Sequence, residues 1–397
     1  MHIIFINYGG FDYSPSSMHI FHLANALGGL GVRCSVYNPK DAGQAEVFGR
    51  PKFRVLSRRS TSPGRLAAEL AAKGEDCVLH SWTPREAARE LTLAMLKAHT
   101  FPYVVHMEDN EDEIYKTSTR HLPPEVTADP ANFEPGGALH CFSHPVRYKE
   151  FIAGAQGYTC IIESLLDFKP EQAPGHVFSP ACEETLFTLP RRPTAKDKER
   201  WGIPGDSVTF FYPGNAHRNN ADEVVELYCA IGLLRKKGVK ARIIKFGQYI
   251  YDIPGAVFSR LECPDALVDL TGRITQAQIP EVMRAADILI QPGCDNPFNR
   301  YRFPCKLPMF LASGRPVILP DSNLGKRLGH GENCLLLRQG TAEEILENIL
   351  FLLREPDKAA AIGIAGRVFA REHFSWEKSA AGLKTFYQEV LARCASG

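Results

Sequence analysis

Twice along the chain a short apolar run stops at a glycine-bearing turn and gives way to helical spacing. The first run is Ile3, Ile4, Phe5 and Ile6, followed by Asn7, Tyr8, Gly9 and Gly10, then by Ile20, Leu23, Ala24 and Leu27 on one helical face. The second is 208–212, turning through Pro213 and Gly214 into Val224, Val225, Leu227, Ile231 and Leu234. Strand, turn and helix in that order begin a βαβ unit, and 33–37 and 241–246 read as the strands that continue each one. A chain of 397 residues has room for two or three domains with buried cores. Open α/β sheets bind ligands outside the carboxyl ends of their strands, so the turns after these runs are the places to look for function.

Two further runs end in polar groups. Residues 77–79 lead into His80, Ser81 and Trp82, and 103–105 lead into His106, Met107, Glu108 and Asp109. A histidine just past a strand reads equally as a ligand contact or as a satisfied structural group. The acidic series Glu108, Asp109, Glu111, Asp112 and Glu113 reads as a solvated loop or as a source of an acceptor-side carboxylate. Residues 138–142 read as another strand, with Ser143 and His144 opening the next polar turn.

The stretch 295–317 opens as a loop, since Asn296, Pro297, Asn299 and Pro304 disfavour regular structure. Leu307, Phe310 and Leu311 then share one helical face, Gly314 and Pro316 end the helix, and 317–319 reads as a buried strand. Arg300, Arg302 and Lys306 fall at or near the start of that helix, where backbone N–H groups favour an anion. Asn299 and Tyr301 add hydrogen-bonding capacity. Gly214 and Arg218 form a second anion-binding junction, from strand to helix. The alternative for the loop is a surface segment whose charges are solvated.

The run from Gly272 to Val317 resembles the donor-binding half of a GT-B glycosyltransferase, nearest to the large retaining family 4. The likeness is carried by Lys306-Leu307, by Leu311-Ala-Ser-Gly-Arg-Pro-Val317, by Ala286-Asp287 before the strand 288–290, and by Gly331-Glu-Asn. It extends over nearly the whole chain and is strongest from about Val208 to Tyr387. It implies an α/β GT-B fold: two Rossmann-like domains facing an interdomain cleft, with a C-terminal helix crossing back to the first domain. The boundaries read as 1–178 for the acceptor side, 179–375 for the donor side and 376–397 for the returning helix.

The same resemblance implies a glycosyltransferase that moves a sugar from a nucleoside-diphosphate donor to an acceptor hydroxyl, retaining configuration. His106 would lie beside the transferred sugar, with Glu108 or Asp109 assisting, while Arg218 and Lys306 meet the charge of the diphosphate. Gly9, Gly10, Gly214, Arg273, Asn299, Tyr301 and Arg302 would complete the donor site. Two glutamates usual in the family fall here on Tyr301 and Met309, so both carboxylates are absent. No Asp-x-Asp metal motif occurs, so no metal and no cofactor is expected, the nucleotide sugar being a substrate. The acceptor would be a glycan, a lipid-linked species or a protein.

Composition removes some partners. Net charge is +1 and charged residues make up 23%, so no global field favours nucleic acid. Short basic clusters at Arg58-Arg59, Arg191-Arg192 and Arg235-Lys236-Lys237 are solvated faces or points of peripheral membrane contact. Eleven cysteines without a Cys-x-x-Cys pair fit reduced thiols in the cytoplasm. No charged leader or cleavage site marks the N-terminus, and no run approaches the ~18 apolar residues of a spanning helix. A catalytically weak GT-B relative that binds glycan or protein, and a sugar-nucleotide epimerase of the same fold, remain rival readings. A two-lobed solute-binding protein would need an export signal.

Overall fold

The computed structural model describes residues 1–11, 14–39, 45–190, 192–216, 219–248, 253–275 and 278–396. The chain divides into two compact units, Met1–Pro180 with Ser375–Gly397, and Ala181–Phe374. Each unit is built on one parallel sheet covered by helices.

The first sheet has seven strands: β1 His2–Ile6, β2 Arg33–Asn38, β3 Arg54–Ser57, β4 Cys77–Trp82, β5 Tyr103–Met107, β6 Gly157–Cys160 and β7 Gly175–Val177. Their order is β3-β2-β1-β4-β5-β6-β7. Every neighbouring pair is parallel, with Ile4 opposite Ser35 on one side and Leu79 on the other. The winding reverses between β1 and β4, which opens a crevice at their carboxyl ends. All of β1 is buried, as expected of a parallel strand with helices on both faces. Helix Pro15–Gly29 begins at Ser14, whose hydroxyl accepts from the Ser17 amide, and lays Ile20, Leu23 and Leu27 into the core.

The last helix, Trp376–Ser396, belongs to this first unit. It contributes Leu383, Phe386, Tyr387 and Val390 to the same core, and packs against helix Pro15–Gly29. Its Tyr387 hydroxyl lies 2.6 Å from His80 Nδ1 on β4, and both groups are fully buried. The returning helix implied by the resemblance is present.

The second sheet has six strands: β8 Val208–Pro213, β9 Ala241–Phe246, β10 Leu267–Asp269, β11 Ile288–Ile290, β12 Val317–Pro320 and β13 Leu335–Leu337. They run parallel in the order β10-β9-β8-β11-β12-β13, so the reversal falls between β8 and β11. Helix Ala221–Lys236 follows β8 and buries Val224, Leu227, Ile231 and Leu234, the face its spacing predicts. Between β11 and β12 lies the short helix Leu307–Ala312, with Leu307, Phe310 and Leu311 buried.

Residues 138–142 are turns, not a strand. Leu139 donates its amide to Asn132 and Phe142 donates to Leu139, so these groups are satisfied locally. Only Leu139 of this run is buried, whereas an interior parallel strand buries both faces. The place beside β5 is taken by β6, whose Gly157-Tyr-Thr-Cys160 has no apolar run to announce it.

Replacing Tyr387 by Phe leaves His80 Nδ1 buried without its partner, an expected loss of about 1–3 kcal/mol. A fall in the urea midpoint of the first unit, followed by fluorescence, is the expected result. An unchanged midpoint would show that this bond does not anchor the helix.

Candidate active site

In the second unit the polar groups gather beyond β8 and β11. Lys306 immediately precedes helix Leu307–Ala312, and its ammonium lies 4.3 Å from the centre of the Tyr212 ring. A side chain on Gly214 would bring its Cβ within 2.6 Å of that ammonium, so glycine is what lets the amine approach the turn after β8. Among the described residues the Lys306 ammonium has no hydrogen bond or ion pair. Burial, with the Arg302 guanidinium and the Lys245 amine nearby, pulls its pKa down to about 7. Arg302 lies over the Phe298 ring at 5.1 Å, and its buried Nη1 has no hydrogen-bond partner among the described residues.

Two further charged groups line the same end of the sheet. Lys245, buried at the end of β9, donates to the Gly247 carbonyl, and burial lowers its pKa to about 8. Glu223, in the first turn of helix Ala221–Lys236, accepts from the side-chain amide of Asn299. Burial raises its pKa against the opposing pull of Arg302.

In the first unit the residue immediately after β5 is Glu108. Its Oε1 accepts from His19 Nδ1 at 2.8 Å and from Trp82 Nε1 at 3.0 Å, and its Oε2 accepts from the Ser16 hydroxyl. Burial works against its charge, yet these hydrogen bonds and the His19 ring hold its pKa at about 2. His19 therefore carries its proton on Nδ1, facing the carboxylate. Thr83, just past β4, adopts φ 68°, a strained angle for a β-branched residue, and its amide donates to the His106 carbonyl.

His106 lies inside β5 rather than after it, and is fully buried. Its ring stacks on Phe178 at 4.9 Å and tilts against Trp82 at 4.1 Å. Nδ1 meets the Thr159 hydroxyl at 2.9 Å, the same hydroxyl that lies 2.9 Å from His80 Nε2. Burial lowers the His106 pKa to about 3, so the ring is neutral, and Nε2 has no hydrogen-bond partner among the described residues. His80 too lies within its strand, in the chain Tyr387–His80–Thr159–His106.

The remaining expected site residues divide. Lys306, Arg302, Gly214 and Asn299 come together at one end of the second sheet, but the Asn299 amide is committed to Glu223 and the Cys294 carbonyl. Tyr301 sits in the single turn Asn299–Tyr301 ahead of them. Arg273 is exposed after β10 and donates to the Asp269 carbonyl at 3.3 Å. Arg218 lies outside the described residues. Gly9 and Gly10 follow β1 with ordinary φ; a Cβ on Gly9 would meet nothing, and Gly10 accepts from the Ser17 hydroxyl. The acidic run is no solvated loop, for Glu111 is buried and takes the Ser143 hydroxyl at 2.8 Å and Arg85 Nε at 3.4 Å.

Sequence reasoning missed Glu223, Lys245 and His19. Lys245 directly follows the apolar pair Ile243-Ile244 inside its strand, which is a signal; Glu223 and His19 sit on helices and give none. Among the described residues no group of three His, Cys, Asp or Glu is placed to hold a metal ion, and no helix is long and apolar enough to cross a membrane.

The two parallel sheets and their strand orders are those of the GT-B architecture. The chain overlays on a glycosyltransferase from Rickettsia africae with a TM-score of 0.70 at 13% identity, covering 98% of both chains. It overlays on Anabaena HepE, solved with UDP and glucose, with a TM-score of 0.69 at 14% identity over 100% of this chain and 99% of that one. Sucrose-phosphate synthase from Thermosynechococcus elongatus gives 0.71 at 14% identity over 99% and 100%. A comparison with curated proteins finds no significant match. Residues 207–355 match the family "Glycosyl transferases group 1". Residues 207–355 thus carry a glycosyltransferase group 1 domain, set within a chain of GT-B fold.

A desolvated ammonium destabilises the fold while it is charged. The folded pKa of Lys306, about 7, lies below the ordinary value of 10.5. The penalty is thus complete below pH 7 and is relieved as pH rises toward 10.5. Lys306→Met should raise the melting temperature more at pH 6 than at pH 9. An equal gain at both would show that the ammonium is not desolvated.

Proposed function

We propose that the protein transfers a sugar from a nucleoside-diphosphate donor to an acceptor hydroxyl, with the donor diphosphate held at Lys306. The observation that carries this reading is a pair of cations, Lys306 and Arg302, that sit together at the switch point of the second sheet with no ion-pair partner among the described residues. Buried charge is costly unless paired, and a dianionic ligand would supply the pairing. Such a ligand would raise the Lys306 pKa again and keep the ammonium charged at neutral pH. Support comes from the group 1 match over 207–355 and from the fold shared with HepE, which binds UDP and glucose.

In this reading the bond from the anomeric carbon to the phosphate oxygen breaks as the acceptor oxygen bonds to that carbon. The departing oxygen keeps the electron pair and takes up the acceptor hydroxyl's proton, while Lys306 and Arg302 stabilise its charge, with Arg218 proposed as a third cation. The first unit supplies acceptor-side groups at the carboxyl ends of β1, β4 and β5. Glu108 stands there as an ionised carboxylate, in the position just after β5 that the sequence reading assigned to His106. A contact of His106 with the sugar is proposed through its unpartnered Nε2. Retention of configuration rests on the family resemblance alone, and a glycan, lipid-linked or protein acceptor remains the proposed partner class.

A thermal-shift screen of nucleoside diphosphates and their sugar esters comes first, because a ligand of the native state raises the melting temperature. Lys306→Ala should then lower nucleoside-diphosphate release at saturating donor by about 10²-fold, since the leaving charge is greatest in the transition state. Near-normal turnover would remove Lys306 from the phosphate site. No shift with any nucleotide would favour a GT-B relative that binds glycan or protein without transfer.

A further inference from the structure

The two carboxylates absent at Tyr301 and Met309 leave the second domain without the acidic side chains that would accept hydrogen bonds from sugar or ribose hydroxyls. A different carboxylate stands at the same end of the sheet. Glu223 enters from helix Ala221–Lys236, beside the loop that follows β11. Its Oε1 is held by the Asn299 side chain, and that amide also donates to the Cys294 carbonyl at 3.0 Å, which fixes its direction. Gly293 makes room for the pair. It adopts φ +131°, and a Cβ there would lie 2.9 Å from Glu223 Oε1 and 3.1 Å from Asn299 Nδ2.

The other carboxylate oxygen, Oε2, is buried and makes no hydrogen bond of ordinary length and angle among the described residues, although the Asn296 side chain also lies near the carboxylate and favours its charge. An orphaned carboxylate oxygen is unfavourable, so its persistence calls for a partner that arrives from outside. The neighbours limit what that partner is. Arg302 and Lys306 both act on Glu223 electrostatically, yet neither forms an ion pair with it. Those two cations repel a cationic ligand group from the spot, and the carboxylate itself repels a phosphate. A neutral O–H donor satisfies both conditions.

Resting on the donor reading above, we propose that Glu223 binds a hydroxyl of the donor through Oε2, replacing the carboxylates that Tyr301 and Met309 do not provide. The hydroxyl belongs either to the nucleotide ribose or to the transferred sugar; the hydrogen bond is the same. Glu223 is then a donor-binding residue contributed by a helix outside the family pattern, aligned by Asn299 and accommodated by Gly293.

The test is isothermal titration of the full chain and of Glu223→Gln with pyrophosphate, with UDP, GDP and ADP, and with the glucose esters of these nucleotides. For the nucleotide that binds the wild type best, Glu223→Gln should weaken binding about 10- to 100-fold. Pyrophosphate should bind the variant as well as before, or more tightly. Weakening of the nucleoside diphosphate itself assigns the hydroxyl to ribose; weakening of the glucose ester alone assigns it to the sugar. Glu223→Asp keeps the charge but withdraws the oxygen, so it should lose the same contact without gaining pyrophosphate affinity. Unchanged nucleotide binding in Glu223→Gln, or tightening in parallel with pyrophosphate, makes Glu223 a counter-charge and overturns the inference alone. A wild type that binds none of the nucleotides overturns the donor reading and the inference with it.

Discussion

A parallel sheet with helices on both faces buries its strands along their whole length, and this restricts where polar chemistry can reside. Backbone groups within the sheet pair with neighbouring strands, and side chains on either face meet a helix layer. Only the turns beyond the strand ends are open, and they open widest where the winding reverses. Both units follow this rule. Asn7, Thr83 and Glu108 cluster beyond β1, β4 and β5, while Gly214, Lys306 and Glu223 cluster beyond β8 and β11. Lys245 and His106 obey it at one remove, as polar groups in the final residues of their strands, where each can reach a partner.

The two sites treat buried charge in opposite ways. Glu108 is enclosed but satisfied: three donors surround its oxygens, and they outweigh the desolvation that would otherwise raise its pKa. Lys306 is partly enclosed and unsatisfied: among the described residues it meets an aromatic face and feels the pull of Glu223 without an ion pair, two cations stand near it, and its pKa falls. A satisfied charge is preorganised and changes little when ligand binds. An unsatisfied one stores a cost that a ligand of opposite charge removes, so affinity is available there without any new folding energy. This contrast, rather than the number of charges, separates the group that would orient from the group that would bind.

The resemblance to the family's motif covers the frame of the second site but not all of its chemistry. Helix Leu307–Ala312 ends where the Ala-Ser-Gly segment predicts, and its buried face is the one expected. The acidic pair of that frame is absent, with Met309 half-buried and Tyr301 in a single helical turn. Glu223 brings negative charge back to the same end of the sheet from another element. A site can therefore keep its electrostatic balance while the residues that provide it move along the chain.

Local patterns carried most of the architecture. Ile3–Ile6 and 208–212 were legible as buried strands, because a run composed mainly of apolar residues suits a strand covered on both faces. The spacing of Ile20, Leu23 and Leu27, and of Val224, Leu227 and Ile231, showed which helical faces turn inward. The Lys306-Leu307 likeness placed Lys306 at the entry of a helix, and it stands immediately before Leu307–Ala312. Three things depended on tertiary structure. Residues 138–142 looked like a strand but were not covered on both faces, so local hydrogen bonds prevailed. His106 looked like the end of a strand, yet pairing with β6 extends β5 past it to Met107 and leaves Glu108 as the first residue beyond. Glu223 looked like any acidic residue in a helix's first turn, and only the approach of Gly293 and Asn299, far along the sequence, holds one of its oxygens and leaves the other buried. Periodicity is a local property and survives in the sequence; which groups lose their water is decided by neighbours that only the fold brings near.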